Sequence, residues 1–201
     1  MEKIPEVNME NEETDEEVFR AYMDDVQLSP EDFDKKILDV GSGMGQFAKW
    51  AKEHNISSEI YSLEPKQISE ENEKSVRGFA EAIPFHNGEF DLVISNASIP
   101  NVFLGEKKEV LKWKIQASLS ELMRVTKPGG EIRLGRVLKG TEYDSQRELT
   151  LATEDELKEL EKTQGVNVEE IPYPSADLYE YEDHEKTKLI ARAYLIKIHK
   201  L

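Results

Sequence analysis

The 201-residue sequence predicts an α/β domain built on a mostly parallel sheet covered on both faces. Three observations carry that expectation. Short apolar runs alternate with segments whose apolar residues recur every three or four positions. A glycine-rich turn, Gly41-Ser42-Gly43-Met44-Gly45, joins the first such run to a helical segment. The run Phe90-Asp91-Leu92-Val93-Ile94-Ser95 is apolar enough to be buried on both faces, as strands of parallel sheets are.

Residues 1–9 are polar and aperiodic and read as a loosely held terminus. In residues 16–26, Val18, Phe19, Tyr22, Met23 and Val26 fall at helical spacing, which predicts a helix whose apolar stripe docks on the main domain before Ser29-Pro30 breaks it. Lys36-Ile37-Leu38-Asp39-Val40 is the first strand, and residues 46–54, with Phe47, Trp50 and Ala51 on one face, are the helix after the turn. Residues 59–63 read as a second strand ending at Glu64-Pro65, residues 69–74 as a weak polar helix, and residues 76–79 as a short third strand. The fourth strand is residues 90–95.

Residues 109–125 are the clearest helix, with Val110, Leu111, Trp113, Leu119, Leu122 and Met123 mostly on one side, and Lys127-Pro128-Gly129-Gly130 stops it. Strand five follows at 131–137. Thr153 and Glu156 have capping-box spacing and predict a helix from there to about Thr163. Residues 166–171 and 189–198 are the terminal strands. Trp50 and Trp113 are expected in the core.

Apolar runs of a few residues fall far short of the roughly 18 that cross a bilayer. The start Met1-Glu2-Lys3 lacks the basic and apolar regions of a secretory signal, so a cytoplasmic protein is expected. With no cysteine there is no disulfide, thiolate metal site or cysteine nucleophile. His54 and His86 stand apart from other potential ligands, and no metal site is expected.

The net charge of −16 is uneven, because residues 1–34 hold thirteen Asp and Glu against Lys3 and Arg20. That contrast divides the chain into an acidic N-terminal arm, 1–34, expected to be partly disordered or to form a helical lid, and a domain, 35–201. A field of this sign repels phosphate backbones and disfavours nucleic acid, while leaving the arm available to a protein partner. The C-terminal cations Lys186, Lys188, Arg192, Lys197 and Lys200 read as a solvated face.

The glycine turn narrows the chemistry. Alternate glycines remove Cβ atoms where the backbone turns sharply or approaches a ligand, and the helix after them offers unpaired N–H groups. A dinucleotide turn, G-x-G-x-x-G, needs a third glycine where Gln46 stands, which weakens an NAD-dependent oxidoreductase. A triphosphate loop needs a Lys-Ser or Lys-Thr pair that is missing. The pattern present is D-x-G-x-G-x-G, from Asp39 to Gly45.

Here the sequence resembles class I S-adenosylmethionine (SAM)-dependent methyltransferases. Further motifs fall in order over residues 37–137: Glu64 closing strand two, Gly78-Phe79-Ala80-Glu81-Ala82-Ile83-Pro84-Phe85, Phe90-Asp91-Leu92-Val93, and residues 122–130. The resemblance implies a Rossmann-like, doubly wound seven-stranded sheet of order 3-2-1-4-5-7-6 with an antiparallel last strand. It implies SAM as cofactor, bound by Asp39, Gly41, Ser42, Gly43, Gly45, Glu64, Pro65, Ala80, Glu81 and Asn96, with Glu64 accepting from the ribose hydroxyls. Phe79 departs from the family, which often has an acidic residue there, and can only stack or pack; it reads equally as a core strand residue.

The expected activity is methyl transfer to a small-molecule acceptor, with no catalytic residue identified. Tyr22, Ser98, Tyr179 and Tyr181 are candidates for substrate binding, and Tyr173 and His184 lie in the same C-terminal stretch. Ala97 and Ser98 replace the prolines of the D/N-P-P-Y/F motif, which disfavours an exocyclic base amine as acceptor. A noncatalytic SAM- or nucleoside-binding module acting with a partner protein is the alternative.

Overall fold

The computed structural model describes residues 13–57, 59–66, 74–182 and 185–201. In chain order the elements are α1 (Asp15–Asp25), β1 (Ile37–Val40), α2 (Gln46–Glu53), β2 (Ile60–Glu64), β3 (Ser75–Arg77), β4 (Phe90–Asn96), α3 (Lys108–Val125), β5 (Thr126–Lys139), α4 (Asp144–Glu161), β6 (Val166–Pro172), β7 (Leu178–Glu182) and β8 (Glu185–Lys200). Short 3-10 turns occupy Pro30–Asp34, Asn101–Phe103 and Pro174–Ala176.

The sheet runs β3-β2-β1-β4-β5-β8-β6. Neighbours from β3 through β5 are parallel, and β8 is antiparallel to both β5 and β6. This is the expected Rossmann-like order with one strand more than the expected seven. The alternating Leu-Tyr-Glu-Tyr-Glu of β7 folds back on the first half of β8 and pairs with β8 alone, whereas the second half of β8 lies between β5 and β6. Because β8 runs against β5, the β7–β8 hairpin extends past the edge of the sheet where β1, β4 and β5 end.

Period-two alternation places successive strand residues on opposite faces, and each face carries its own core. Leu38, Val93, Ile132 and Leu134 pack beneath α3 with Leu111, Ile115 and Leu122. Ile37, Leu92 and Ile94 pack on the other face with Phe47 of α2 and with Phe19, Tyr22 and Val26 from the α1 segment. Tyr22 stacks on Phe47 with ring centroids 4.4 Å apart, and Phe19 stacks on it from 5.5 Å. Thr14 and Glu17 form a reciprocal capping box that starts α1.

The turn after α1 is fixed to β5 by a buried ion pair. Arg133 donates to Asp32 at 2.9 and 3.2 Å, to Glu131 at 2.9 Å, and to the Gln27 carbonyl at 2.8 Å. Burial would raise the Asp32 carboxyl, but hydrogen bonds from Lys35, the Ser29 N–H and Arg133 outweigh it and bring it down to about 2.

Several expectations are corrected. Helix α4 starts at Asp144, so Thr153 lies inside it, and its buried hydroxyl donates to the Leu149 carbonyl at 2.8 Å instead of capping an end. Trp113 is 58% exposed, because Leu111, Ile115, Leu119 and Leu122 form the stripe that faces the sheet and Trp113 falls opposite. Strand β3 ends at Arg77, and Phe79 lies beyond it, 61% exposed, not in the core. The helix expected at 69–74 falls almost wholly outside the described residues. Among the described residues no helix is long and apolar enough to cross a membrane.

Candidate functional site

The site lies where β1, β2 and β4 end. Gly41 and Ser42 donate their backbone N–H groups to the Leu63 carbonyl at 2.8 and 3.2 Å, which ties the glycine turn to β2. Gly41 has φ +76°, and a Cβ there would fall 2.0 Å from Ser98 Oγ. The segment after β4 therefore closes on the turn so tightly that only glycine fits. Gly45, at φ +78°, is the N-cap of α2.

Glu64 faces this turn from the end of β2. One carboxylate oxygen accepts from the Gly43 N–H at 3.1 Å and the other from the Lys66 N–H at 3.2 Å. Each oxygen has two lone pairs, so each keeps one acceptor position free. A cleft of about 380 Å³ opens here, and Gly41, Glu64, Pro65, Ala80, Glu81 and Ser98 all line it. Phe79, Val102, Phe103 and Lys114 also line it. Lys114 is paired with Glu106 and lies over the Phe103 ring.

Asp39 is fully buried at the end of β1 and accepts from the Tyr22 hydroxyl at 3.3 Å. Among the described residues its second oxygen has no partner, and neither does the buried Ser42 Oγ. Burial raises the Asp39 carboxyl to about 8, against the opposing Tyr22 hydrogen bond and with the Glu64 charge adding to the rise. Burial, and then the nearby Asp39 carboxyl, hold the Tyr22 phenol well above its ordinary value.

Other residues singled out in the sequence lie elsewhere. Tyr22 does not line the cleft; it stacks on Phe47 behind Asp39. Asn96 donates its amide to Asp25 at 2.8 Å, on the α1 side of the sheet edge. Tyr179 and Tyr181 belong to the β7–β8 hairpin, with Lys186 over the Tyr179 ring, and Tyr179 does not line the cleft. His184 is outside the described residues. Among the described residues no group of His, Asp and Glu could hold a metal ion.

Sequence reasoning missed Val102, Phe103 and Lys114, although the apolar Ile99-Pro100-Asn101-Val102-Phe103 directly after β4 was a usable signal. It also missed Asp25 and Arg136, which meet at the end of β4 and β5 with Arg136 Nε 2.7 Å from Asp25 Oδ2.

Comparison with known proteins agrees with this geometry. Residues 38–134 match the family described as the methyltransferase domain. The malonyl-[acyl-carrier protein] O-methyltransferase of Erwinia pyrifoliae is 30% identical over 113 residues, covering 53% of this chain and 38% of that protein, so the chain spans less than half the relative's length. A SAM-dependent methyltransferase from Thermotoga maritima superposes with TM-score 0.51 at 20% identity, covering 91% of this chain and 89% of its own. A chain from a complex between the Haloferax volcanii Trm112 methyltransferase activator and a methyltransferase gives TM-score 0.55 at 13% identity, covering 92% and 93%. These two likenesses establish the shared fold. The match places a methyltransferase-domain likeness on residues 38–134, just under half of the chain, and the strand order is the one the sequence resemblance implied.

Proposed function

We propose that this chain binds SAM in the cleft between the glycine turn and β2 and passes its methyl group to a small-molecule acceptor. The observation that carries the reading is Glu64, a carboxylate with one free acceptor position on each oxygen, held against a glycine turn in a cleft. Two such acceptors match the two hydroxyls of a ribose. The buried oxygens of Asp39 and Ser42 that lack a partner among the described residues belong to the same turn, behind the cleft lining.

When bound, SAM supplies a methyl group already activated by its sulfonium. The protein's task is then alignment and exclusion of water. Phe79 offers a flat apolar face for the adenine in place of an acidic hydrogen-bond partner. Val102 and Phe103 line the cleft after β4, and Ser98 stands where an acceptor would be oriented. A net charge of −16 supports a small acceptor over nucleic acid.

Calorimetry with SAM, S-adenosylhomocysteine and NAD tests the assignment directly. Hydrogen bonds to a charged group contribute roughly 1.5 to 3 kcal/mol each, so Glu64→Ala should weaken SAM binding about ten- to a hundredfold. Glu64→Gln keeps one acceptor oxygen and should fall between Ala and the parent. If both variants bind SAM like the parent, the cofactor site is misplaced.

One observation favours a second reading, a nucleoside-binding module acting with a partner protein, for which the acidic arm offers a charged surface. The cleft is lined by Glu64 and Phe79, groups that suit a nucleoside, whereas Tyr22 covers Asp39 outside that lining. Turnover of methyl-labelled SAM with a panel of acceptors separates the two readings.

A further inference from the structure

Beside the cleft, the end of β5 carries a built irregularity. The ladder with β8 shifts register between Leu134 and Val137, and Arg136 sits in the bulge with φ +51°. A non-glycine residue held in the left-handed region is strained and persists only where its surroundings fix it. Here they do. Asn101 donates its side-chain amide to the Arg136 carbonyl at 2.7 Å and accepts from the Leu138 N–H at 3.0 Å, clamping both sides of the bulge. The Ala97 N–H donates to the Gly135 carbonyl at 3.0 Å. Gly135 must lack a Cβ, which would come 2.7 Å from Val26 Cγ1 and 2.8 Å from Asn96 Oδ1. Bulges of this kind re-aim a side chain beside an active site.

The re-aimed side chain is a guanidinium with uncommitted donors. Its Nε is buried 2.7 Å from Asp25 Oδ2, off the line a hydrogen bond needs, so the contact is an ion pair only. Among the described residues its terminal nitrogens have no hydrogen-bond or ion-pair partner, and the side chain is 44% exposed. The Asp25 side chain is wholly buried and can touch no incoming molecule. Arg136 is therefore the group that an approaching molecule meets. It does so next to the methyl-transfer edge, because residues 97–103 hold the bulge from one side and line the cleft through Ser98, Val102 and Phe103 from the other.

We propose that Arg136 recognises the methyl acceptor and that the acceptor is a carboxylic acid, methylated on its carboxylate oxygen. The inference rests on the methyltransferase reading above. A planar fork of N–H donors matches a carboxylate in two-point geometry, whereas an amine or a thioether offers it nothing. The chemistry also suits the site. A carboxylate oxygen forms the new bond to the methyl carbon, the bond from that carbon to sulfur breaks, and its electron pair stays on sulfur. The products are a neutral methyl ester and S-adenosylhomocysteine, with no proton to remove, so the burial of Asp39 and Tyr22 away from the cleft is no handicap.

The test titrates hexanoate, hexan-1-ol and hexylamine into the full chain, with and without S-adenosylhomocysteine. Affinity is read by calorimetry and contact by the NMR resonance of the Arg136 Nε–H. Hexanoate should bind and move that resonance, and the alcohol and amine should do neither. Arg136→Met should weaken hexanoate about tenfold or more, Arg136→Lys less, and both should bind S-adenosylhomocysteine like the parent. Equal hexanoate binding by Arg136→Met, preference for the amine or alcohol, or no response of the Arg136 resonance in the parent would each overturn the proposal. The parent titration decides the matter even if a variant folds poorly. Failure to bind S-adenosylhomocysteine would instead remove the methyltransferase reading, while the carboxylate arm is still read in protein without it.

Discussion

Asp39 makes the clearest pH statement of any single residue. An aspartate near 3.9 in the unfolded chain and at about 8 in the fold binds its proton more tightly when folded. Its contribution is therefore most favourable below about 4 and is lost as pH rises toward 8. Asp39→Asn should leave stability near pH 4 unchanged and should be more stable than the parent at pH 8, a crossover that chemical denaturation at the two pH values measures. Gly41→Ala faces a left-handed φ, costing about 1–2 kcal/mol, and a clash with Ser98 Oγ. It should lose stability and SAM affinity together, and Ser98→Gly should restore part of both. Glu64 and the glycines were legible because the motif encodes a local turn. Arg136 and Asp25 were not, since each looks like an ordinary strand or helix residue until the end of α1 is laid against β5.

Among the elements, α1 and the turn after it are fastened more firmly than an acidic segment leads one to expect. Phe19, Tyr22 and Val26 complete the core over Phe47, and Arg133 seals the segment from β5. Arg133→Met would strand Asp32 in a buried site without its guanidinium, a change that typically costs about 3–5 kcal/mol. Urea denaturation at pH 7 should show a loss of that order. The folded Asp32 lies at about 2, below its unfolded value, so its stabilisation is present above pH 4 and disappears as pH falls toward 2. The apolar stripe of α1 was readable from periodicity, because burial on one face leaves a spacing of three and four. Helix α4 was misplaced because a Thr and a Glu three apart also occur inside helices, where Thr153 turns its hydroxyl back to the Leu149 carbonyl. Strand β7 has no signature in the sequence, because among the described residues it pairs with the facing half of β8 alone, a pairing no local pattern announces.

At the scale of the whole molecule, a net charge of −16 means self-repulsion, concentrated in residues 1–34. Salt screens it, so raising ionic strength from about 0.05 to 0.5 M should increase the denaturation midpoint, and a fall would show that the ion pairs matter more. The sheet order itself came with the family resemblance, and alternation of strands and helices supported it without fixing which strands are neighbours. One feature of that order bears on how the molecule is made. Strand β8 lies between β5 and β6, yet follows both in the chain. During synthesis β5 therefore presents a bare hydrogen-bonding edge, and β6 has no place to pair, until residues 185–200 have emerged. Such late, long-range pairing is slow because loop closure precedes any gain from contact. Ile198→Val, a change of about 0.5–1.5 kcal/mol in a fully buried position, should then accelerate unfolding and leave the folding rate nearly untouched in stopped-flow measurements. An equal slowing of folding would place β8 in the nucleus instead, with the nascent chain waiting on its last strand to begin.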